Sequence, residues 1–509
     1  MQTKDSAGWR DAFLSLKHPQ VIALLFLGFS AGLPILMIFS SLSLWLREAG
    51  VARADVTYFS WAALAYSFKF VWAPMVDRLP LPFLTTYFGR RRGWLLLAQF
   101  GIVAAIICMA LTNPQAGGNT LAMMAIGAVA LGFSSATQDI VIDAYRIESA
   151  DAKLQAMMSS TYIAGYRIGM LVSGAGALIL AEYWGSSRDA YVYEAWRNSY
   201  FAMAAAMLVG ICTSLIITEP KHSGVKYSDD KLRQYFGFLA LFALSVASLI
   251  TAYVLTDGWA SQQKAVWAEF FKNKALAGVL TETCRLLAGV TAAAITAWLC
   301  VLLGITEKAM VEQTYINPVR DFFKRYGLGI SILLLSLIGL YRISDIVLGV
   351  VSNLFYQDIG YSKSEIAAAV KSFGLIMTIV GGLAGGMLAL RLGLMRILII
   401  GALLSAGTNL LFLGLAHIGY NLPALYVVIA VDNLAAGLAS AAFVAFLSSL
   451  TNISFTAMQY AIFSSLMTLV PKIFGGYSGS IVDSLGYQNF FLITTLMGLP
   501  VLILLIIAA

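Results

Sequence analysis

Apolar stretches of about 20 residues follow one another from about residue 21 to the C-terminus, with short polar breaks between them. A helix needs roughly 20 mostly apolar residues to cross the hydrocarbon of a bilayer. The composition agrees, since 60% of the 509 residues are hydrophobic, only 12% are charged and the mean hydropathy is +0.81. Soluble domains do not have such a composition. The sequence therefore predicts an all-α polytopic membrane protein.

The apolar stretches predict fourteen membrane-spanning helices. Their expected positions are 21–47, 55–78, 93–111, 119–147, 154–184, 196–218, 232–256, 275–303, 328–356, 363–391, 394–415, 422–448, 457–483 and 488–508. Lysine and arginine then fall in the loops of one side, and the positive-inside rule makes that side cytoplasmic. Both termini are expected in the cytoplasm. The first apolar segment lacks a small-residue cleavage site, so it is expected to be retained as a helix.

Residues 219–327 interrupt this regular pattern with two apolar segments of looser composition, each flanked by a polar stretch. Six helices remain on either side of this block. Two six-helix bundles joined by a central linker are the arrangement of major facilitator transporters, which bind substrate between the bundles near the bilayer midplane. The predicted divisions are therefore an N-terminal bundle at 1–220, a linker with two extra helices at 221–327, and a C-terminal bundle at 328–509.

Ionisable side chains stand inside several of the predicted helices. Burying a charge in a membrane helix is costly, so each of them is a candidate functional residue. They are Lys69, Asp139, Asp143, Arg167, Arg342, Asp345, Lys371 and Asp432.

The stretch SATQDIVIDAYRIE at 135–148 carries charge into the continuation of an apolar helix. Asp139, Asp143 and Arg146 are spaced by four and three residues, so they share one helix face. Counted from the outer end of the helix, Asp139 lies roughly 30 Å along it and so in its inner half. Asp143 lies nearer the cytoplasmic surface. Lys69 reaches a comparable depth, so it can interact with Asp139. We expect Asp139 to act in proton coupling or substrate binding, with a structural tie as the alternative. For Asp143 with Arg146, a cytoplasmic gate or structural pair is favoured over coupling.

A carboxyl group in an apolar cavity can bind and release a proton when burial and a nearby cation oppose each other. Asp345 and Asp432 are further candidates for this role. Arg167 and Arg342 are expected near the midplane, where a guanidinium suits an anionic substrate. The alternative for Arg342 is an ion pair with Asp345 on its own helix. Lys371 is a weaker candidate for anion binding.

Three tyrosines, Tyr66, Tyr166 and Tyr341, each lie within one helical turn of an intramembrane cation. We expect them in the cavity, where an aromatic ring can pack on the flat face of a sugar, whereas the other aromatic residues are expected to pack or to lie at the membrane interface.

Neither an enzyme nor a cofactor protein is indicated by the sequence. The three histidines have no candidate partner, and the four cysteines lack metal-binding spacing. No metal or cofactor is therefore expected. The net charge of +7 comes from short loops between helices, so no nucleic-acid partner is expected either.

The junction APMVDRLPLPFLTTYFGRRRGW at 73–94 resembles the conserved loop of the major facilitator superfamily, Gly-x-x-x-Asp-Arg followed by Gly-Arg-Arg. The matching positions are Asp77, Arg78, Gly89, Arg90 and Arg91. Ala73 replaces the leading glycine and the spacer is longer, which points to a particular branch. In the family, the aspartate and the basic residues brace the cytoplasmic gate, and the resemblance implies the same role here, together with Arg146.

Several further segments resemble the AmpG-type muropeptide permeases, among them LGFSAGLP (27–34), SATQDIVIDAY (135–145) and SFTAMQYAIFSS (454–465). Gln138 and Asp139 match motif positions on which the family relies, which implies that Gln138 contacts substrate. The resemblance implies a monomeric, proton-driven importer in the inner membrane of a Gram-negative cell. Its substrate would be GlcNAc-1,6-anhydro-MurNAc, with or without peptide, moved from periplasm to cytoplasm for peptidoglycan recycling.

Two alternatives stay open at this point. The chain could transport another anionic conjugate, such as an acetyl-CoA-like molecule or a drug. It could also be a membrane sensor or scaffold that transports nothing and uses the linker as its partner surface. Competition with unlabelled anhydro-disaccharide separates the first alternative from muropeptide transport, and deletion of the linker tests the second.

Overall fold

The computed structural model describes residues 14–51, 59, 66, 68–117, 119–187, 190–220, 232–272, 274–475 and 478–508. Every regular element within these residues is helical. Thirteen helices in this part of the chain are long and apolar enough to cross a membrane, and they coincide with thirteen of the fourteen predicted. The remaining prediction, 55–78, lies largely outside the described residues. The all-α, multi-pass fold is thus confirmed.

The N-terminal half follows the predicted helix order, although several of its helices are divided by turns. Its α-helices are α1 (Pro19–Ile38), α2 (Ser40–Glu48), α3 (Ala73–Arg78), α4 (Leu84–Phe88), α5 (Arg90–Ala110), α6 (Thr120–Ser149), α7 (Ala152–Leu171), α8 (Ala177–Tyr183), α9 (Tyr193–Ala206) and α10 (Leu208–Ile216). A π-helical turn at Val172–Gly176 joins α7 to α8, so these two form one membrane-spanning unit.

The linker forms a compact unit of its own, Val225–Arg325. Its described helices are α11 (Leu232–Leu255), α12 (Asp257–Phe271), α13 (Lys274–Leu302) and α14 (Lys308–Val311). Backbone hydrogen bonds continue through Thr256, so α11 and α12 make one rod that packs against α13. Arg285 fastens this hairpin, because its guanidinium stacks on the Tyr253 ring at 3.9 Å and pairs with Asp257 at 3.1 Å. Two of these helices, α11 and α13, have the length and apolarity of spans.

The described C-terminal half contains six helical segments long and apolar enough to cross a membrane. Its helices are α15 (Asn317–Leu340), α16 (Ile343–Ile359), α17 (Lys363–Ile366), α18 (Gly374–Leu392), α19 (Leu394–Ile418), α20 (Leu422–Ser449), α21 (Thr456–Gly475), α22 (Ser478–Leu496) and α23 (Gly498–Ala508). Gly327 and Gly486 interrupt α15 and α22 with φ angles of 73° and 77°. Glycine tolerates this left-handed region, and both breaks fall where the sequence predicts a boundary between a loop and a helix.

Close backbone contact holds α1 against α7 in the N-terminal half. A Cβ atom on Gly28 or Gly32 would lie within 2.2 Å of a backbone oxygen of α7. Gly165 and Gly169 approach α1 just as closely from the other side. Small residues at four-residue spacing allow such packing between membrane helices, where van der Waals contact replaces the hydrophobic effect.

The two halves meet along α7 with α18 and α20, and along α21 with α3 and α6. At the first contact, a Cβ atom on Gly386 of α18 would lie 2.1 Å from Ser160 Oγ of α7. Ser160 lies eight residues after the start of α7 and Gly386 six residues before the end of α18, so this contact is on the side of the bundle where α7 begins. The same end carries Arg78, Arg90 and Arg91, and it is called the basic end below.

Candidate substrate and gating site

A buried ion-pair network occupies the basic end. The guanidinium of Arg91 donates to Asp77 Oδ1 at 2.7 Å and to both oxygens of Glu148 at 2.5 and 2.9 Å. All three side chains are buried. Removing one member of a buried ion pair leaves an uncompensated charge, which typically costs about 3–5 kcal/mol.

The same carboxylates join the two halves. Asp77 accepts hydrogen bonds from the backbone N–H groups of Ala457 and Met458, at 3.1 and 3.0 Å, in the first turn of α21. The first N–H groups of a helix have no partner within the helix, and its dipole favours an anion there. Thr456, also in the C-terminal half, donates its hydroxyl to Glu148 Oε1 at 2.5 Å. The N-terminal half thus supplies the cap of a helix in the C-terminal half.

The other predicted gate residues surround this network. Arg90 Nη1 donates to the backbone oxygen of Asp77 at 2.5 Å, and the Arg78 guanidinium lies 5.7 Å from the centre of the Phe455 ring. Gly89 has a φ angle of 88° and precedes the first helical residue of α5, where the Glu219 carboxylate accepts from two backbone N–H groups. A side chain on Gly89 would collide with that carboxylate, since a Cβ atom would lie 2.5 Å from its carbon.

Arg146 makes a second connection between the halves. Its Nη1 donates to Ser159 Oγ at 2.8 Å and to Ser448 Oγ of α20 at 2.7 Å. The guanidinium also lies 5.2 Å from the centre of the Tyr460 ring of α21 and 3.3 Å from Asp143 Oδ1. This geometry fits the gate hypothesis for Arg146, because its Nη1 donates to one serine of each half.

Asp139 lies beside this gate and differs from the other acidic residues in its hydrogen bonding. Its side chain is buried, with 7% of the residue exposed, and its Oδ1 has no hydrogen-bond partner among the described residues. Lys69 approaches Asp143, at 3.5 Å between Nζ and Oδ2, and it also interacts electrostatically with Asp139. The Tyr162 hydroxyl contacts Asp139. Asp139 is therefore a carboxyl group with one free oxygen, next to a cation that it shares with Asp143.

Tyr66 and Tyr166 both lie close enough to Asp139 to interact with it electrostatically. The Tyr66 hydroxyl donates to Ser135 Oγ at 2.7 Å. Both side chains are only partly buried, so they remain candidates for contact with substrate.

Gln138 and Tyr341 both take part in helix packing, and their substrate-binding roles stay predictions. Gln138 is completely buried, and its amide donates to the Ser30 backbone oxygen at 3.0 Å on α1. The Tyr341 hydroxyl donates to the Leu398 backbone oxygen at 3.0 Å, and its ring stacks on Phe443 at 4.2 Å. Both side chains have hydrogen-bond partners on neighbouring helices.

Of the predicted substrate-binding cations, Arg167 and Arg342 are partly exposed, whereas Lys69 is buried. Within the described residues Arg167 has no ion pair, and it lies near enough to Arg342 of the other half for the two charges to repel. Arg342 stands at the break between α15 and α16 with 24% of its side chain exposed, and Asp345 Oδ2 lies 3.8 Å away. Both the anion-binding prediction and its ion-pair alternative for Arg342 thus have a structural basis.

Asp345 and Asp432 form an acidic pair in the C-terminal half. Ser405 donates to Asp345, and Thr408 donates to Asp432 Oδ1 at 3.0 Å. The two carboxyl groups are near enough to repel each other. The Lys371 side chain lies outside the described residues, so its predicted anion-binding role has no structural account.

Five side chains at the site were not assigned a role from the sequence: Glu148, Thr456, Ser448, Tyr460 and Tyr162. Glu148 ends the charged stretch at 135–148, so its position carried a usable signal. The other four are ordinary residues of apolar helices. Only their placement against Asp77, Arg146 and Asp139 gives them importance.

The sequence profile of the Major Facilitator Superfamily matches residues 22–351 and 333–509. The anhydromuropeptide permease of Escherichia coli K12 is 30% identical over 492 residues, covering 96% of this chain and 80% of the permease. A transporter of Rickettsia felis designated AmpG 4 is 31% identical over 489 residues, 96% of each chain. The chain belongs to the AmpG-type permeases of the Major Facilitator Superfamily.

Solved structures of this superfamily have the same fold at low sequence identity. The proton:xylose symporter XylE aligns with a TM-score of 0.58 at 12% identity, covering 97% of this chain and 95% of XylE. The transporter FucP, in its outward conformation, aligns with a TM-score of 0.58 at 11% identity, covering 97% and 99%. The membership confirms the resemblance predicted from the sequence and identifies a multi-pass membrane transporter fold.

Proposed function

We propose that the protein is a proton-coupled importer of anhydromuropeptides, GlcNAc-1,6-anhydro-MurNAc with or without peptide. The observation that carries the proposal is the 30% identity to the anhydromuropeptide permease, which extends over 96% of the chain and so includes both halves. Transport runs from periplasm to cytoplasm, across the inner membrane of a Gram-negative cell, with both termini in the cytoplasm. The importer works as a monomer, since the substrate passes between two halves of one chain.

The contacts of Asp139 support proton coupling. A proton can bind at Oδ1, the oxygen without a hydrogen-bond partner. Lys69 and Asp143 adjoin it, so protonation of Asp139 leaves Lys69 to pair with Asp143 alone. Asp143 in turn contacts Arg146, which holds the two halves together. A proton at Asp139 therefore changes the charge balance of the group that closes the basic end.

The open faces of the site support an anionic, sugar-containing substrate. Arg167 and Arg342 offer guanidinium groups that can bind carboxylates in bidentate fashion. Tyr66 and Tyr166 offer aromatic rings near Asp139 for sugar faces. An anhydromuropeptide carries a carboxylate on its lactyl group or its peptide together with two sugar rings, and it matches both features.

Uptake into liposomes tests this function directly. We expect labelled GlcNAc-anhydro-MurNAc to accumulate when an inward proton gradient is imposed, and to stop accumulating when a protonophore collapses the gradient. Accumulation that ignores the protonophore contradicts proton coupling. If folded protein takes up no labelled anhydro-disaccharide under either condition, another anionic conjugate is indicated as substrate.

The variant Asp139→Asn tests the coupling residue, because the amide keeps the shape of the side chain but cannot carry the proton. We expect it to lose gradient-driven accumulation while its expression and thermal stability stay normal. Asp151→Asn is the matched control, since Asp151 is exposed and its side chain makes no capping hydrogen bond. Normal accumulation by Asp139→Asn moves the coupling role to Asp143, Asp345 or Asp432.

A further inference from the structure

Pro34 lies inside α1, four residues after Ser30. Proline has no backbone N–H, so the Ser30 carbonyl cannot receive the hydrogen bond that residue 34 of an α-helix would otherwise donate to it. Membrane helices tolerate such a proline where a neighbouring helix supplies a donor, because the hydrocarbon of the bilayer offers none. Helix α6 supplies one here, since Gln138 Nε2 donates to the Ser30 carbonyl at 3.0 Å. The proline of α1 and the glutamine of α6 thus form a matched pair.

The amide of Gln138 is held on a well-packed part of the N-terminal half. Gln138 is completely buried, and the Ser30 hydroxyl lies 3.3 Å from Gln138 Oε1. Helix α10 packs against the same serine, because a Cβ atom on Gly210 would lie 2.4 Å from Ser30 Cβ. Gly28 and Gly32 hold α1 against the backbone of α7. The Ser30 carbonyl is therefore a fixed point to which α6 is attached.

The residue that follows Gln138 is Asp139, whose direction depends on the rotation of α6 about its axis. Successive side chains of an α-helix point about 100° apart, so attaching Gln138 to α1 also sets the direction of Asp139. A rotation of about 20° moves a group on the rim of a helix about 10 Å wide by roughly 2 Å, more than a hydrogen bond tolerates. The titratable groups around Asp139 come from several elements: Tyr66, Lys69, Asp143, Tyr162, Tyr166 and Tyr460.

We propose that Gln138 is a positioning residue for the coupling carboxyl group. Pro34 leaves the Ser30 carbonyl without its usual donor, and Gln138 binds that carbonyl and so fixes the rotation of α6. The fixed rotation holds Asp139 beside Lys69. This role differs from the contact with substrate that the family resemblance implies for Gln138. It rests on the proposed function, which gives Asp139 its part in proton coupling.

Thermal unfolding tests the matched pair without any substrate. Gln138→Leu removes the donor at similar volume, and we expect its unfolding temperature to fall by roughly 3 °C. Pro34→Ala restores an N–H four residues after Ser30, so the carbonyl can pair within α1 and the double variant should regain most of this loss. Gln99→Leu is the matched control, since Gln99 of α5 is equally buried and accepts from Ser214. Pro34→Ala should not rescue Gln99→Leu, and a failure to rescue Gln138→Leu overturns the inference.

Uptake of labelled GlcNAc-anhydro-MurNAc into liposomes at several pH values tests the positioning role. For Gln138→Leu we expect the maximal rate to fall about tenfold with KM within about twofold of the wild type. The pH midpoint of its uptake should move by about one unit, because Asp139 then meets different neighbours. The double variant with Pro34→Ala should keep the displaced midpoint, since its stability returns while α6 stays detached from α1. Gln99→Leu should have the wild-type midpoint. If Gln138→Leu alone does not fold, the double variant carries the same comparison.

Three outcomes contradict the positioning role. An unchanged pH midpoint in Gln138→Leu overturns it, and a raised KM at that unchanged midpoint assigns Gln138 to substrate contact instead. A wild-type midpoint in the double variant shows that the bond to Ser30 serves stability alone. Failure of the proposed function is recognised separately, because the wild type then takes up no anhydro-disaccharide while the unfolding temperatures still report on Pro34 and Gln138.

Discussion

The two ends of the helical bundle are built in different ways. At the basic end, Asp77, Glu148 and Arg146 form hydrogen bonds from one half to the other. At the opposite end, the hydrogen bonds of Glu48 and Tyr361 stay within a half. Glu48 accepts from Trp196 in the N-terminal half at 2.7 Å, and Tyr361 donates to the Asn421 backbone oxygen in the C-terminal half at 2.9 Å.

This difference shows how the energy of gating is distributed. Opening the basic end must separate buried charged groups from their hydrogen-bond partners in the other half. Each of these groups then needs new partners within its own half, because an uncompensated buried charge is costly. The hydrogen bonds of Glu48 and Tyr361 at the opposite end join residues of the same half, so movement between the halves need not break them. Opening the basic end therefore depends on the ion-pair network.

The largest expected effect comes from breaking the network with Asp77→Asn. Asp77 accepts from Arg91 and from two N–H groups of α21, so the amide loses both the ion pair and most of the helix cap. We expect closure of the basic end to weaken by about 3 kcal/mol and uptake to fall at least tenfold. The measurements are liposome uptake and spin-label distances across the basic end.

Asp151→Asn changes an exposed carboxylate of the same end and should behave like the wild type. Undiminished uptake in Asp77→Asn contradicts a role for this network in closure.

A smaller effect is expected from Gly386→Ala, which inserts a methyl group between the halves. Its Cβ atom would lie 2.1 Å from Ser160 Oγ, so the basic end must open slightly or Ser160 must move. Overpacking of this kind costs about 1–3 kcal/mol, and we expect uptake to fall about fivefold.

Gly382→Ala is the matched control for this change. The nearest atom to its new methyl group is a backbone oxygen at 3.8 Å, so uptake should stay normal. The double variant Gly386→Ala with Ser160→Gly should recover part of the uptake. If the double variant is as impaired as Gly386→Ala alone, the clash with Ser160 does not cause the defect.

Ser448→Ala removes one hydrogen bond between the halves and should have a weaker effect. A hydrogen bond to a charged group contributes about 1.5–3 kcal/mol, and the lower value applies because Arg146 keeps Ser159 and Asp143. Uptake should fall about threefold. Ser449→Ala, which loses only a bond within its own helix, should have no effect on uptake. Identical uptake by the two serine variants contradicts the contribution of Ser448.

The smallest effect is expected at the opposite end, from Tyr420→Phe. Tyr420 donates to Glu365 at 2.7 Å, and this bond, with bonds from Ser362, lowers the pKa of the Glu365 carboxyl group. A lowered pKa stabilises the fold above the ordinary pKa of glutamate, and this contribution disappears as the pH falls through the lowered value. Tyr420→Phe should therefore lower the thermal unfolding temperature slightly at pH 7 and less as the pH falls below the ordinary pKa of glutamate, with uptake unchanged. A loss of uptake contradicts the contrast between the two ends.

The helices and their order were determined by the sequence alone. The hydrocarbon core of a bilayer offers no hydrogen-bond partners, so the backbone N–H and C=O groups must pair within the segment. A stretch of about 20 apolar residues therefore forms a helix whatever its neighbours are. Thirteen of the predicted helices are found in the described residues for this reason. The family was also recognisable from the sequence, because Asp77, Arg90, Arg91 and Asp139 occur in segments that resemble the motifs of the family.

Tertiary structure alone decided which side chains meet. Gln138 and Asp139 are adjacent in the sequence, yet a helix turns about 100° per residue, so Gln138 packs against Ser30 while Asp139 keeps a free oxygen. Tyr341 likewise follows the expected spacing but is used in packing against Phe443. The partners of the gate, Thr456 and Ser448, come from the other half of the chain. Helical periodicity fixes positions on one helix, whereas contacts between helices depend on rotations and depths that no single segment encodes.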